Sequence, residues 1–188
     1  MLVPYPLLTP RLSIEPLGRH DIDAFAAYRQ DPEVARYQSW EPSYSTADAT
    51  RLLESQAGVT LPVPGEWLQL GVRARDTGAL VGDVAVHTRE DANATFELGF
   101  TVAREHQGNG FGREAVGRAI EFLFDEVGAV RILASCDRRN TASQRLLSAL
   151  GFEPQPDRSW TEEFKNEWIE MDEFELSLTT FQKSGQLS

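Results

Sequence analysis

The sequence predicts a single domain of the mixed α/β (α+β) class, with a mostly antiparallel central sheet and helices on both of its faces. Three strand-like segments, residues 67–75, 79–87 and 94–102, are separated by short polar stretches, which is the pattern of an antiparallel meander. A glycine-rich run, an amphipathic segment and a further strand at 130–136 follow. The chain has 188 residues, of which 41% are hydrophobic, so it can bury one good core without a second domain.

The residues before this meander are predicted to form one strand and three helices. The strand covers 11–17, and Asp21 opens the first helix. Asp31 and the proline after it start a short helical turn, and Ser45 or Thr46 caps the third helix.

The residues after the glycine run are predicted to form the main helix of the domain. Between Gly112 and Gly128 the apolar residues recur at spacings of three and four, which gives this helix one apolar face. Alternating apolar residues at 174–178 indicate a last strand. We expect one domain over residues 1–181 and a disordered tail over 182–188.

The composition argues against several classes of function. The chain has 29 acidic and 18 basic residues, a net charge of −11, which argues against a surface that neutralises nucleic-acid phosphates. It has no run of about twenty apolar residues and no basic-then-apolar start, so we expect no membrane span, no secretion and a cytoplasmic location. Its one cysteine, Cys136, cannot form an internal disulfide, and its three histidines are too scattered for a metal site.

The run 107–113, Gln-Gly-Asn-Gly-Phe-Gly-Arg, has the composition of an anion-binding loop. Its glycines can turn main-chain N–H groups toward one anion, and the following helix adds the unpaired N–H groups of its first turn. A simpler interpretation is a tight turn that starts the helix. Gly112 is followed by Arg-Glu, which excludes the Gly-Lys-Ser/Thr loop of nucleotide hydrolases. A dinucleotide-binding interpretation, Gly110-x-Gly112-x-x-Ala115, lacks a strand directly before it.

Written as Gln107-x-x-Gly110-x-Gly112, the same run resembles the acetyl-coenzyme A loop of the GNAT superfamily of N-acetyltransferases. Residues 140–152 add Asn-x-x-Ser and Leu-Gly-Phe, which are similar to the second cofactor motif of that superfamily. Thr-Pro-Arg-Leu at 9–12 and Asp-Pro-Glu-Val at 31–34 resemble the branch of ribosomal-protein N-terminal acetyltransferases, the RimJ/RimL-like group. The resemblance extends from residue 9 to residue 178 and implies a GNAT-like fold.

The resemblance implies that acetyl-CoA is the acetyl donor. The loop would hold its pyrophosphate with main-chain N–H groups, and the edge of the preceding strand would pair with the amide-bearing pantetheine arm. Arg138 and Arg139, which flank the second motif, are further candidates for contacts with phosphates. The residues expected to bind the cofactor are Phe100, Thr101, Val102, Gln107, Gly108, Asn109, Gly110, Phe111, Gly112, Arg113 and Asn140.

Deprotonation of the amine is assigned to Glu97, in the strand before the loop, although such a strand carboxylate also serves in ion pairs. Many members of the superfamily use a tyrosine seven residues after the motif asparagine to protonate the leaving thiolate, and here that position is Leu147. Ser143 is the substitute candidate, with a helix start as its other role. Asn140 either bonds a cofactor carbonyl or caps the same helix. The substrate-binding candidates are Trp40, Glu41 and Trp67, and Tyr37 is a further candidate for the pocket.

The predicted function is transfer of acetyl from acetyl-CoA to a primary amine, foremost the N-terminal α-amine of a protein or peptide, by direct attack on the thioester. Small amines, such as a polyamine, an amino acid or an aminoglycoside, are an alternative class of acceptor. A protein that binds acetyl-CoA without turnover is a second alternative, because the usual tyrosine is missing, and an NAD-binding oxidoreductase is a third. The expected partner is the amine substrate, and the protein is expected to be a monomer or a homodimer.

Overall fold

A mixed sheet of nine strands runs through the computed structural model, which describes residues 5–61, 63–90 and 94–185. The order across the sheet is β1-β2-β3-β4-β5-β6-β9-β7, and β8 pairs with β9 off this path. Among the described strand pairs, β5 and β6 are parallel and the others are antiparallel, which confirms the predicted mixed, mostly antiparallel sheet. The strands are β1 (Leu7–Leu8), β2 (Leu12–Pro16), β3 (Trp67–Ala74), β4 (Leu80–Thr88), β5 (Thr95–Val102), β6 (Arg131–Asp137), β7 (Glu153–Pro154), β8 (Trp160–Phe164) and β9 (Glu167–Ser177).

Helices cover both faces of this sheet. Val84 of β4 belongs to the same apolar cluster as Val116 in the main helix, whereas its neighbour Asp83 accepts a hydrogen bond from Tyr28 in the first helix. Successive residues of a strand point to opposite faces, so these two helices lie on opposite sides of the sheet. The α-helices are α1 (Ile22–Arg29), α2 (Pro32–Ala35), α3 (Thr46–Ser55), α4 (Phe111–Glu121), α5 (Thr141–Ala149) and α6 (Leu178–Gly185).

The polar residues that precede α1 and α3 differ in whether their side chains cap the helix. Ser45 Oγ accepts a bond from the main-chain N–H of Asp48, whose carboxylate accepts one from Ser45 N in return, so α3 begins with a capping box. Asp21 precedes α1 as predicted but does not cap it. Its carboxylate instead accepts bonds from Gly18 N and from the guanidinium of Arg73.

The main helix has the predicted extent but not uniform winding. After α4 it continues as a π-helical segment, Phe122–Val127, and ends at Gly128, which has φ of +86°. The π-helical segment is at the C-terminal end of the helix, and the first turn, next to the glycine run, has regular α-helical winding.

The β8–β9 hairpin is absent from the sequence prediction, which placed only a last strand near 174–178. Its turn residues, Lys165 and Asn166, have φ of +51° and +64°. Asparagine tolerates this region, but the pair lacks the Asn-Gly form by which such turns are recognised. The polar residues of β8 also hide the alternation of a buried strand.

The end of the chain also differs from the prediction. Residues 182–185 belong to α6, where a disordered tail was expected, and 186–188 lie outside the described residues. Ser177 Oγ accepts a bond from Thr180 N at the start of this helix. Phe181 stacks on Phe124 with ring centroids 4.8 Å apart, so packing against the core orders the segment.

The parallel pair β5 and β6 creates the opening that holds the site. Their ladder joins residues 95–97 of β5 to 131–133 of β6. Beyond Glu97 the two strands separate, and β6 continues to pair with β9 up to Asp137. Residues 98–102 of β5 therefore keep a main-chain edge that no other described strand covers on that side. The glycine run and α4 follow β5, and α5 follows β6, so both helices begin at this opening.

Candidate active site

A cleft of about 590 Å³ lies at the opening between β5 and β6. Its walls come from the end of β5, the glycine run, the first turns of α4 and α5, and the segment that includes α2. Ser143 lines it as well. The fold thus brings together the two motifs that the sequence keeps apart. The predicted cofactor residues in the lining are Phe100, Thr101, Val102, Gln107, Gly108, Gly110, Phe111, Gly112, Arg113 and Asn140.

The glycine run has the backbone shape of a cradle. Gly108 and Gly110 have φ of +77° and +78°, in the left-handed region that favours glycine. Gly110 is also the N-cap of α4, and as a glycine it has no side chain that could cap the N–H groups of the first turn. Gln107 has a supporting role, because its Nε2 donates to Val102 O at 3.0 Å. Asn109 is outside the cleft lining, and its carbonyl accepts a bond from Arg11 Nη1 at 2.9 Å.

Gly112 serves close packing. A Cβ at this position would lie 3.0 Å from Leu146 Cδ1 and 3.3 Å from Val102 Cγ2, which is tighter than ordinary van der Waals contact. Its lack of a side chain therefore lets the first turn of α4 approach both β5 and α5, and the two walls of the cleft meet there.

Two arginines of the cleft are available for an anion. Arg113 and Arg145 line it, and neither has an ion pair within the described residues. Arg138 and Arg139, which we considered for phosphates, are engaged elsewhere. Arg138 pairs with Asp172 and Glu170, while Arg139 pairs with Asp137 and Glu167. Carboxylates of β6 and β9 thus hold these two guanidinium groups.

The start of α5 brings Asn140 and Ser143 into the cleft. Asn140 Oδ1 accepts a bond from Ser143 N at 3.1 Å, so Asn140 caps the helix and its amide nitrogen remains for a ligand. Ser143 also lies beside Cys136, where burial raises the pKa of the thiol to about 11 despite the opposing hydrogen bond from Ser143. Leu147 is fully buried in the core, so it has no contact with the cleft.

Glu97 lies at the vertex where β5 and β6 separate, on the other side of the strand from Phe96 and Leu98. It does not line the cleft, and along the strand it is about 10 Å from Phe100. Its side chain is 26% exposed, and its Oε2 is 3.6 Å from His87 Nδ1. The carboxylate is therefore half-buried beside an imidazole, as in the ion-pair alternative, and close enough to solvent for proton exchange.

The three predicted substrate residues have different environments. Trp67 stacks on His87, with ring centroids 4.8 Å apart and planes inclined by 16°, so it belongs to the surroundings of Glu97. Trp40 instead covers the guanidinium of Arg29 at 3.7 Å and donates from Nε1 to Arg29 O. Glu41 is exposed and lies 3.9 Å from Lys165 Nζ. Trp40 and Glu41 do not line the cleft.

Several residues of the site escaped the sequence analysis. The far wall of the cleft contains Glu33 and Gln38, from α2 and the segment after it, beside Tyr37, which the sequence analysis did name as a pocket residue. Gln38 Nε2 donates to Phe100 O at 3.4 Å. His87 was missed as the partner of Glu97. No local signal identifies it, because the predicted strands 79–87 and 94–102 aligned end to end pair His87 with Ala94, whereas the observed register pairs His87 with Glu97.

Among residues 5–61, 63–90 and 94–185, no group of His, Cys, Asp and Glu side chains is arranged to hold a metal ion. Within the same ranges no helix combines the length and the apolar character needed to cross a bilayer.

Residues 11–153 match the family model described as acetyltransferase (GNAT) domain. The chain is also similar to "Uncharacterized N-acetyltransferase YoaA" of Bacillus subtilis (strain 168). The two are 30% identical over 150 residues, which cover 79% of this chain and 84% of that protein.

Two solved structures from Vibrio cholerae share the fold. Spermidine N-acetyltransferase in complex with CoA and spermine has a TM-score of 0.79 and 19% identity, over 93% of this chain and 99% of that one. A protein provisionally identified as a ribosomal-protein-serine acetyltransferase has a TM-score of 0.76 and 23% identity, over 94% and 99%. The family match, together with the YoaA relative, establishes that the chain belongs to the GNAT family of N-acetyltransferases, enzymes that use acetyl-CoA.

Proposed function

We propose that this protein binds acetyl-CoA in the cleft and transfers its acetyl group to a primary amine, by direct attack of the amine on the thioester. The observation that carries the proposal is the uncovered edge of β5 between Glu97 and the glycine run. An extended chain with amide groups can add to such an edge as a further strand. The pantetheine arm has this chemistry, whereas NAD does not, so the edge favours acetyl-CoA as the ligand.

The residues at the end of this edge fit the phosphates of the cofactor. The left-handed conformations of Gly108 and Gly110 leave main-chain N–H groups free to converge on one anion at the start of α4. We assign the pyrophosphate to residues 107–112. Arg113 and Arg145 then face the remaining phosphate, because both residues line the cleft and neither has a carboxylate partner in the part of the chain that the structure describes.

Bound acetyl-CoA supplies an activated acetyl group, and the chain supplies the proton transfers. Glu97 takes a proton from the acceptor ammonium, directly or through a water, because only the neutral amine is a nucleophile. Ser143 donates a proton to the leaving sulfur, in place of the tyrosine that Leu147 replaces. A main-chain N–H near the end of β5 polarises the thioester carbonyl, as in an oxyanion hole.

For the acceptor we propose the α-amine of a protein or peptide, the RimJ/RimL-like assignment. The motifs at 9–12 and 31–34 support it, as does the neighbour provisionally identified as a ribosomal-protein-serine acetyltransferase. A small polyamine is the second candidate, because another neighbour has spermine bound and the net charge of −11 attracts cations. We further propose that the enzyme acts in the cytoplasm, as a monomer or a homodimer.

Calorimetric titration of the full chain tests the binding step. We expect stoichiometric binding of acetyl-CoA and none of NAD. Binding of NAD, or failure to bind acetyl-CoA, would refute the assignment of the glycine run.

Release of free CoA in the presence of different amines tests the transfer step. The panel pairs peptides that have a free N-terminal serine with spermidine. Glu97→Gln and Ser143→Ala should slow transfer without weakening acetyl-CoA binding. If both variants transfer acetyl as fast as the wild type, the two roles are wrong. If the wild type binds acetyl-CoA but releases CoA with no amine, the protein is a binder without turnover.

A further inference from the structure

The imidazole of His87 lies beside Glu97 and has no role in the reaction proposed above. We infer that His87 is a positioning residue that shares the proton taken up by Glu97 and returns it to solvent. This inference rests on the proposed function, in which Glu97 is the base. It gives His87 a place in the reaction although His87 does not line the acetyl-CoA cleft.

Sheet register places the two groups together. His87 of β4 is directly opposite Glu97 of β5, and Trp67 of β3 is directly opposite His87, so the three side chains form a row on one face. This face is opposite to the one that packs on α4, which carries Phe96 and Leu98. The row ends at the vertex, because Glu97 is the last residue of β5 that pairs with β6.

The distance between the two groups fits a site that holds one shared proton. His87 Nδ1 is 3.6 Å from Glu97 Oε2, too far for a hydrogen bond. That nitrogen is buried and has no hydrogen-bond partner within the described residues, which is rare for a buried polar atom. A neutral imidazole with an unprotonated Nδ1 and a carboxylate are both acceptors, so no bond joins them at rest. Once Glu97 gains a proton, its O–H can donate to Nδ1.

The side chains around His87 fix the orientation of its ring beside Glu97. Trp67 stacks on the ring and fixes its plane. The side chain is 19% exposed, so the ring can pass a proton to water after it has accepted one. Among the described contacts Glu97 is the one charged partner of His87. Asp83, four residues away on the same face, is bonded to Tyr28 and Gln69.

Small residues connect this row to the acetyl-CoA cleft. On the same face, Gly99 and Ala85 lie between the Glu97–His87 pair and Thr101, which lines the cleft. A Cβ on Gly99 would already be 3.6 Å from Ala85 Cβ and 3.9 Å from Trp67 Cζ3, so the absence of a side chain leaves room there. An amine bound over Gly99 would lie between Glu97 and the end of β5.

In the proposed sequence, an N–H bond of the acceptor ammonium breaks and an O–H bond forms on Glu97. The proton then moves from Glu97 to Nδ1 of His87, which restores the carboxylate and gives an imidazolium. The imidazolium loses a proton to water and becomes neutral again. The neutral amine attacks the thioester carbonyl, so a C–N bond forms and the C–S bond breaks. The excess proton on the nitrogen goes to water, and Ser143 supplies the proton that the CoA thiolate takes up and is itself reprotonated by water.

The test compares His87→Gln with His20→Gln. His20 is also beside a carboxylate, 3.5 Å from Asp21, but is 73% exposed and outside the cleft. We expect His87→Gln to lower kcat about tenfold and to leave the KM for acetyl-CoA unchanged. The same substitution should have no further effect on kcat in Glu97→Gln, because His87 acts on the proton that Glu97 takes up. His20→Gln should leave kcat unchanged in both the wild type and Glu97→Gln.

A loss of kcat on His87→Gln that persists undiminished in Glu97→Gln would overturn the inference and leave the proposed function intact. A wild type that binds acetyl-CoA but transfers no acetyl group would overturn both.

Discussion

Replacement of Gly108 by alanine tests the cradle for the pyrophosphate, and Gly78 provides a matched control. The two glycines have φ of +77° and +72°, and a Cβ added to either would meet nothing within 4 Å. Gly108 lines the cleft, whereas Gly78 lies in the turn between β3 and β4. The substitutions therefore have nearly the same backbone cost and differ in their relation to the ligand.

Alanine in the left-handed region costs about 1–2 kcal/mol. Gly78→Ala should lose this amount in free energy of unfolding, equivalent to about 2–8 °C in Tm for a chain of this size. In Gly108→Ala the exposed loop can relax toward negative φ in the absence of ligand. Binding of acetyl-CoA must then restore the left-handed angle. The free energy of binding is then less favourable by about 1–2 kcal/mol, which makes the affinity for acetyl-CoA about 5- to 30-fold weaker.

Calorimetry with acetyl-CoA measures the affinity, and thermal unfolding without ligand measures the stability. We expect Gly78→Ala to bind as tightly as the wild type while losing stability. The cradle is refuted if Gly108→Ala binds acetyl-CoA with wild-type affinity, or if Gly78→Ala weakens binding to the same degree.

Urea unfolding should show a much larger loss of stability for Gly82→Ala than for Gly99→Ala, because a Cβ would lie 2.1 Å from a main-chain oxygen at Gly82 but 3.6 Å from its nearest neighbour at Gly99. Burial disfavours the charge on Glu114, but hydrogen bonds from the N-terminal segment outweigh it and hold its pKa below the ordinary 4.5. The contribution of this carboxylate to stability is thus complete above pH 4.5 and is lost as the pH falls through the lower pKa of the folded state. Glu114→Gln should flatten that part of the curve of stability against pH. Arg145→Gln should weaken acetyl-CoA binding about tenfold, and this difference from the wild type should be smaller at high salt. Arg19→Gln, at a residue outside the cleft lining, should leave the affinity unchanged.

The parts of the fold that the sequence predicts well depend on short-range patterns. The meander of β3, β4 and β5 follows from alternating apolar residues and polar turns, and the capping box at Ser45 follows from residues three apart. The glycine run is equally local. Its left-handed glycines and the helix after it involve neighbouring residues, so their chemistry can be inferred without knowledge of the tertiary structure.

The parts that it misses depend on contacts between distant residues. Arg138 and Arg139 lie just before a cofactor-like motif and were candidates for contacts with phosphates, yet carboxylates on β9 pair with both of them. No local pattern specifies which strand lies beside β6. Trp40 is an aromatic residue of the kind that often lines pockets, but here it packs on the buried guanidinium of Arg29. Burial of that guanidinium is a property of the assembled core.

The position of β9 also determines when the sheet can be completed during synthesis. β9 is the last strand along the chain, yet it pairs with β6 and lies inside the sheet, between β6 and β7. Until residues 167–177 have left the ribosome, one edge of β6 has no partner. Pairing between distant segments is slow, and an unpaired edge promotes association between chains. A chain truncated before Glu167 should therefore aggregate rather than give a smaller active enzyme.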